Sequence, residues 1–142
     1  MPRHRKFLVI DDNADSRFLL VKTLLRKFPQ AVIHESQDAD AAILMAATPG
    51  LDAIVTHRAV EVDGVTLVSL LRKANPAVPI IMVSGINRSL EANAAGATRF
   101  LNYDEWLRIG TVVSEALTAD AKPEIPKIGD DVPRAGTAAP GA

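Results

Sequence analysis

Two periodicities alternate along the first 120 residues of the chain. Short apolar runs are typical of strands buried on both faces. The stretches between them repeat apolar residues every three or four positions, as one face of a helix does. The runs predict five strands, over residues 7–10, 31–34, 52–56, 78–83 and 98–102. The longer stretches predict five helices, around residues 18–28, 39–47, 67–74, 88–95 and 106–117.

This alternation predicts a parallel sheet. Parallel neighbouring strands need crossover connections, and these are right-handed. The pattern therefore predicts a doubly wound α/β domain, with one five-stranded sheet between two layers of helices. In such sheets ligands bind beyond the carboxyl ends of the strands, which selects a small set of residues. These residues are Asp11, Asp12, His57, Ser84, Asn102 and Tyr103.

The spacing of apolar residues also predicts which helix faces enter the core. In the first helix, which should end before Pro29, it selects Phe18, Val21, Leu25 and Phe28. In the last helix it selects Trp106, Ile109, Val113 and Leu117.

Composition and charge exclude several classes of protein. The chain has 142 residues, a net charge of -1 and no cysteine. The length fits one domain, and a near-neutral charge offers no field that would attract nucleic acid or an anionic membrane. The basic cluster at residues 3–6 precedes too short an apolar run for an export signal, and no window approaches the roughly 20 apolar residues of a membrane helix. We therefore expect a cytoplasmic protein without cysteine chemistry.

The last part of the chain differs in composition from the rest. Residues 121–142 hold four of the nine prolines and three of the eight glycines. Such a segment buries too little apolar area to offset the entropy of ordering it. We predict a folded domain over residues 1–120 and a flexible tail over 121–142, whose Ile125, Ile128 and Val132 are candidates for docking on a partner or on the domain.

Asp11 and Asp12 follow the first predicted strand directly. Two carboxylates at a buried strand end repel each other unless a cation, a set of donors or a raised pKa offsets their charge. Magnesium is the usual cation for such a pair. In the alternative interpretation Asp12 caps the helix that begins beside it.

Several short motifs, in order, resemble the receiver domain of two-component response regulators. The resemblance covers residues 5–118. It rests on the first strand with its acidic pair (7–13), the third strand (52–57), Asp63-Gly64, Val83-Ser84-Gly85, Gly96-Ala97 and Phe100. It implies a flavodoxin-like (βα)5 fold and a role in phosphorelay signalling. It also implies that Asp11 and Asp12 could hold magnesium and that Ser84 and Phe100 form a coupled switch.

The chain departs from the family at the residues that carry its chemistry. The family's phosphate-accepting aspartate is replaced by His57 when the strand is aligned from Asp52, or by Thr56 when it is aligned backwards from Asp63. Tyr103 stands at the position of the lysine that contacts the phosphoryl group, and Asp104 at that of the proline after it. The loop after the third strand is one residue shorter than in the family, and the fourth helix about one turn shorter.

These departures lead to a hypothesis about function. Aspartyl phosphorylation needs a carboxylate nucleophile together with magnesium and lysine to neutralise the transferred oxygens. We therefore expect an atypical stand-alone receiver, not an enzyme, that acts through protein contacts and requires no cofactor. The resemblance implies a histidine kinase or an effector in trans as partner, and a face made by the fourth helix, fifth strand and fifth helix for homodimers or partners.

Other interpretations of the same residues stay open. His57 or Thr56 could accept a phosphoryl group, and a protonated His57 could replace magnesium, either locking the site or making it respond to pH. His57 could also bind a transition metal with Asp12, or only form hydrogen bonds in a filled pocket. Tyr103 could donate to an aspartate or pack on the last helix. A small flavodoxin-like enzyme or nucleotide binder is disfavoured, because no glycine-rich phosphate loop follows the first strand.

Overall fold

The computed structural model describes residues 4–119. The predicted tail, 121–142, and its three apolar residues lie outside this part of the chain. The strands are β1 (Lys6–Ile10), β2 (Val32–Ser36), β3 (Ala53–Thr56), β4 (Ile80–Ser84) and β5 (Arg99–Asn102). The helices are α1 (Ala14–Lys27), α2 (Ala39–Ala46), α3 (Gly64–Ala74), α4 (Ser89–Ala95) and α5 (Ile109–Ala119), and a 3-10 helix (Tyr103–Arg108) precedes α5.

The five strands form one sheet in the order β2-β1-β3-β4-β5, and every neighbouring pair is parallel. The predicted doubly wound α/β fold is therefore confirmed. The order reverses beside β1, so the carboxyl ends of β1 and β3 meet at the switch point of the sheet. In the pairing of these two strands Ile10 lies opposite Thr56, which brings the next residues of both strands to one place.

Two buried clusters hold the helices on the sheet, one on each face. Leu8, Ile10, Ile54 and Met82 point to α2, α3 and α4, whereas Phe7, Val9, Val55 and Val83 point to α1 and α5. The alternation arises because successive side chains of a strand point to opposite faces. Buried aliphatic side chains of this kind are the main stabilising contribution to the fold.

Side chains at the helix starts fix where α1, α2 and α3 begin. Asn13, Asp38 and Asp63 each accept a hydrogen bond from a backbone N–H in the first turn of the helix that follows. Such caps satisfy donors that have no partner inside the helix. Asp63 also pairs with Arg88 at 2.7 Å, which links the start of α3 to the start of α4.

The structure corrects the predicted buried face of the first helix. Phe18 is 60% exposed and Leu25 is 36% exposed, and the fully buried apolar side chains of α1 are Leu20 and Leu24. Helix α1 has apolar residues around most of its circumference, so the spacing alone could not show which stripe faces the sheet. Val21 and Phe28 do pack against the core, where the Phe28 ring lies edge-on to Phe7.

The last predicted helix is split. Trp106 lies in the 3-10 helix, whereas the buried residues of α5 are Ile109, Val112, Val113 and Ala116. The Asn102 side chain accepts from the Asp104 N–H at 3.0 Å and starts this short helix early, at the end of β5. Among residues 4–119, no helix has the length and apolar character needed to cross a membrane.

Candidate functional site

The backbone pairing of β1 and β3 continues one step beyond the strands. The His57 N–H donates to the Ile10 carbonyl at 2.9 Å, and the Asp12 N–H donates to the Arg58 carbonyl at 3.0 Å. This pairing holds His57 beside Asp11 at the carboxyl edge of the sheet. His57 Nδ1 lies 2.9 Å from Asp11 Oδ2, and both side chains are buried.

Three groups hold the Asp11 carboxylate. Its Oδ2 accepts from the Ser16 hydroxyl and from His57, and its Oδ1 accepts from the Asn13 N–H at 2.9 Å. Burial alone would raise the pKa of Asp11, but these hydrogen bonds and the nearby imidazole outweigh burial and lower its pKa. Asp11 is therefore ionised at neutral pH. Because an ionised carboxylate only accepts hydrogen bonds, the proton between the two groups belongs to His57 Nδ1.

Asp12 lies in a different environment from its neighbour. Its carboxylate is partly exposed and pairs with Arg58 at 3.4 Å. The helix cap is the Asn13 side chain, which accepts from the Ser16 N–H at 2.9 Å, so Asp12 does not cap α1. The negative charges of the two adjacent carboxylates are therefore compensated separately. Buried hydrogen-bond donors compensate Asp11, and the guanidinium of Arg58 at the surface compensates Asp12.

Tyr103 lies flat against His57. The two ring centroids are 4.8 Å apart and the rings are inclined by 6°. Burial and the charge of Asp11 raise the pKa of Tyr103. Its ring also packs against the cluster under α1 and α5, but the contact with His57 was not predicted from the sequence. The stack fixes the plane of the imidazole from the side of β5.

Thr56 points away from this site. It is paired in register with Ile10 and Met82 and so faces α2, α3 and α4 as they do, and its hydroxyl is buried without a hydrogen-bond partner. Of the two residues considered for the acceptor point, His57 is the one that contacts Asp11. The loop that follows is closed by an antiparallel bridge between Ala59 and Val62.

Ser84 and Phe100 lie on the same face of the sheet, because Phe100 is paired in register with Met82 and Ser84 is two residues beyond Met82 on β4. Ser84 Oγ accepts from the Ile86 N–H at 3.2 Å and lies at the end of β4. Phe100, paired in register with Met82, packs against the cluster on the α2–α4 face. Neither side chain forms a hydrogen bond to His57 or Asp11 within residues 4–119.

A pocket of about 380 Å³ opens at this edge of the sheet. It is lined by Asn13, Ser16, His57, Arg58, Ser84, Gly85 and Tyr103. A larger hollow of about 590 Å³ lies at the opposite edge and is lined mainly by the loops before β3 and β4. The smaller of the two pockets is the candidate site, because it contains His57 and lies at the switch point of the sheet. In the part of the chain that the structure describes, no group of three or more His, Asp or Glu side chains could hold a metal ion.

Comparison with protein families decides the class of the domain. The model of the response regulator receiver domain matches residues 7–104, more than half of the chain. The chain belongs to this family. The match spans Asp11, His57, Ser84 and Tyr103, so the residues of the site described above lie within the matched domain.

Solved receiver domains have the same fold. The receiver domain of the putative response regulator NarL from Mycobacterium tuberculosis aligns with a TM-score of 0.72 and 21% identity, over 82% of this chain and 98% of that one. A two-component response regulator from Clostridium difficile gives 0.71 and 23%, over 84% and 100%. A CheY-like receiver from Methanospirillum hungatei gives 0.66 and 17%, over 82% and 98%. The comparison with curated proteins gives no match.

Proposed function

We propose that this receiver domain works through protein contacts and forms no aspartyl phosphate. The observation that carries the proposal is the pair of His57 and Asp11. At the end of β3, where the family places its acceptor carboxylate, an imidazole donates to the neighbouring aspartate at 2.9 Å. The domain would therefore take part in two-component signalling without the family's conventional modification.

The chemistry of the site supports this proposal. Phosphoryl transfer to a carboxylate needs that carboxylate in line with the phosphorus and positive charge on the transferred oxygens. Here the third-strand position has no carboxylate, and Tyr103 replaces the lysine. The Arg58 side chain near the pocket already pairs with Asp12.

The same residues do not fit magnesium. The ion prefers six oxygen ligands in near-octahedral geometry, usually with one or two carboxylates. Both oxygens of Asp11 are engaged by Ser16, His57 and the Asn13 N–H. His57 presents nitrogen, a ligand that magnesium does not favour. We propose that no cofactor is needed, because an internal donor takes the place of the cation.

The surface of α4 is a candidate contact region. Ile86, in the loop before α4, is 67% exposed, and Leu90 within α4 is 82% exposed. Exposed apolar side chains of this size are common at interaction surfaces. We propose that this helix, with β5 and α5, contacts a histidine kinase, an effector or a second copy. Catalysis is not part of the proposal, since helix α1 begins with Asn13 and an acidic turn where a phosphate-binding loop would be needed.

An amide NMR titration tests the chemical part of the proposal. Magnesium is added first and beryllofluoride second, and shifts are followed at Asp11, Asp12 and Ser84. We expect no saturable shift at these residues with either addition. Saturable shifts that require both reagents would show an acyl-phosphate-like state and would contradict the proposal.

A further inference from the structure

We propose that Nε2 of His57 is a phosphoryl-accepting nitrogen, so that this receiver is modified on histidine instead of aspartate. The inference rests on the proposed function in one respect, namely that no aspartate in the site is phosphorylated. It adds a modification site and a chemical class of donor: small acyl phosphates or phosphoramidates, or the phosphohistidine of a partner.

The tautomer of His57 is the first argument. Its Nδ1 faces the ionised Asp11 at 2.9 Å and therefore carries the ring proton. In the neutral ring the lone pair then lies on Nε2. A carboxylate that holds one ring nitrogen also fixes the tautomer and the orientation of the ring. Asp11 acts here as a positioning residue, and Ser16 and Asn13 hold it in turn.

The accessibility of Nε2 is the second argument. No hydrogen bond to this atom is present among residues 4–119. Within that part of the chain the one buried side-chain polar atom without a partner is Thr56 Oγ1, so Nε2 reaches the pocket that His57 lines. Tyr103 covers one face of the ring and fixes its plane.

The lining of the pocket is the third argument. Around His57 it presents the Asn13 amide, the Ser84 hydroxyl and the Arg58 guanidinium, but neither Asp11 nor Asp12. A phosphoryl group entering here meets the side chains of Asn13, Ser84 and Arg58, of which Arg58 also pairs with Asp12 at 3.4 Å. The buried side of the imidazole meets the Asp11 carboxylate. A volume of about 380 Å³ is ample for a phosphoryl group and a small donor.

The transfer step balances with these groups. The Nε2 lone pair attacks the phosphorus of an acyl phosphate, the bond from phosphorus to the acyl oxygen breaks, and the carboxylate leaves with the electron pair. The ring keeps its proton on Nδ1, and Asp11 compensates the positive charge that develops on the imidazole. No other reactant is required.

Intact-mass measurement on the full chain tests the inference. The wild-type chain and the variants His57→Gln and His34→Gln are incubated with acetyl phosphate and, separately, with phosphoramidate. His34 lies exposed on β2 and is the matched control. We expect the wild type and His34→Gln to gain the mass of one phosphoryl group, stable in alkali and labile in acid. His57→Gln should gain none while keeping the circular dichroism and thermal unfolding of a folded chain.

Each other outcome decides against the inference in a distinct way. No mass gain with either donor overturns it and leaves the proposed function standing. A gain that alkali removes is an acyl phosphate on a carboxylate, which overturns both. A gain that persists in His57→Gln places the modification on another residue and overturns the assignment to His57.

Discussion

At the scale of single residues, one step along β3 separates two environments. Thr56 shares the face of Ile54, whose side chain packs under α2, α3 and α4, whereas His57 lies beside Asp11. The Thr56 hydroxyl is buried and has no partner, and a buried polar group without a hydrogen bond is destabilising. Thr56 therefore destabilises the core. It lies next to the candidate site but is not part of it.

Replacing that hydroxyl by a methyl group should stabilise the fold. We expect Thr56→Val, which nearly conserves shape, to raise the free energy of unfolding by about 1 kcal/mol, because it removes an unsatisfied group. Urea unfolding at neutral pH measures the change. Thr23→Val is the matched control. Its buried hydroxyl donates to the Leu19 carbonyl at 2.7 Å, so no gain is expected there. A loss of stability in Thr56→Val would show that the hydroxyl is satisfied.

The sequence could predict a short list of site residues, but it could not show which of them contact each other. The strand-end rule selected Asp11, His57, Ser84 and Tyr103 as residues to examine, and the structure places His57 and Tyr103 against each other. Counting forward from Asp52 gave His57 at the acceptor position, whereas counting backward from Asp63 gave Thr56. Only the backbone pairing of Ile10 with Thr56 and His57 shows which side chain reaches Asp11. Periodicity carries no information on such a register.

At the scale of elements, the loop between β3 and α3 is strained at Glu61. The antiparallel bridge between Ala59 and Val62 closes a tight turn, and Glu61 within it has φ of 73°. This left-handed conformation is unfavourable for a residue with a Cβ atom but not for glycine.

Relief of this strain should be measurable. We expect Glu61→Gly to raise the free energy of unfolding by up to about 1 kcal/mol, since the strain of the left-handed residue exceeds the added freedom of the unfolded chain. Thermal unfolding of the variant checks it. The same substitution at the exposed Glu115 of α5 should cost about 1 kcal/mol, because glycine is a poor helix former. Equal effects at the two positions would contradict the argument.

The elements themselves could be predicted better than their packing. All five strands and five helices were placed from apolar runs and helical spacing, with ends shifted by a few residues. The orientation of α1 was wrong at Phe18 and Leu25, because the helix offers apolar side chains on more than one face. Trp106 lies in the 3-10 helix and not in α5 because the Asn102 side chain accepts from the Asp104 N–H and starts that short helix. Such a local hydrogen bond competes with the formation of one continuous helix.

At the scale of the whole molecule, the exchange of one residue should change how the fold depends on magnesium. We expect His57→Asp to lower the free energy of unfolding by about 3 kcal/mol, because a second carboxylate would face the buried Asp11 without a donor. Magnesium should then raise the melting temperature of this variant by binding the folded state alone. Thermal unfolding with increasing magnesium measures both effects.

The wild type and the variant His57→Asn are the controls for this experiment. The wild type, in which His57 donates to Asp11, should show no magnesium-dependent melting temperature. The variant His57→Asn introduces a side chain of the same size as aspartate but without charge. It should have a lower free energy of unfolding than the wild type, and magnesium should not change its melting temperature. A saturable rise in the wild type would mean that Asp11 and Asp12 bind magnesium despite their partners.

The contact between His57 and Asp11 has a consequence for the conditions in which the domain works. The group that satisfies Asp11 belongs to the same chain, so it is present at a fixed ratio of one to one. Dilution cannot remove it, a chelator cannot strip it, and no transporter has to supply it. The buried charge of Asp11 is therefore compensated by groups of its own chain, whatever ions the surrounding solution contains.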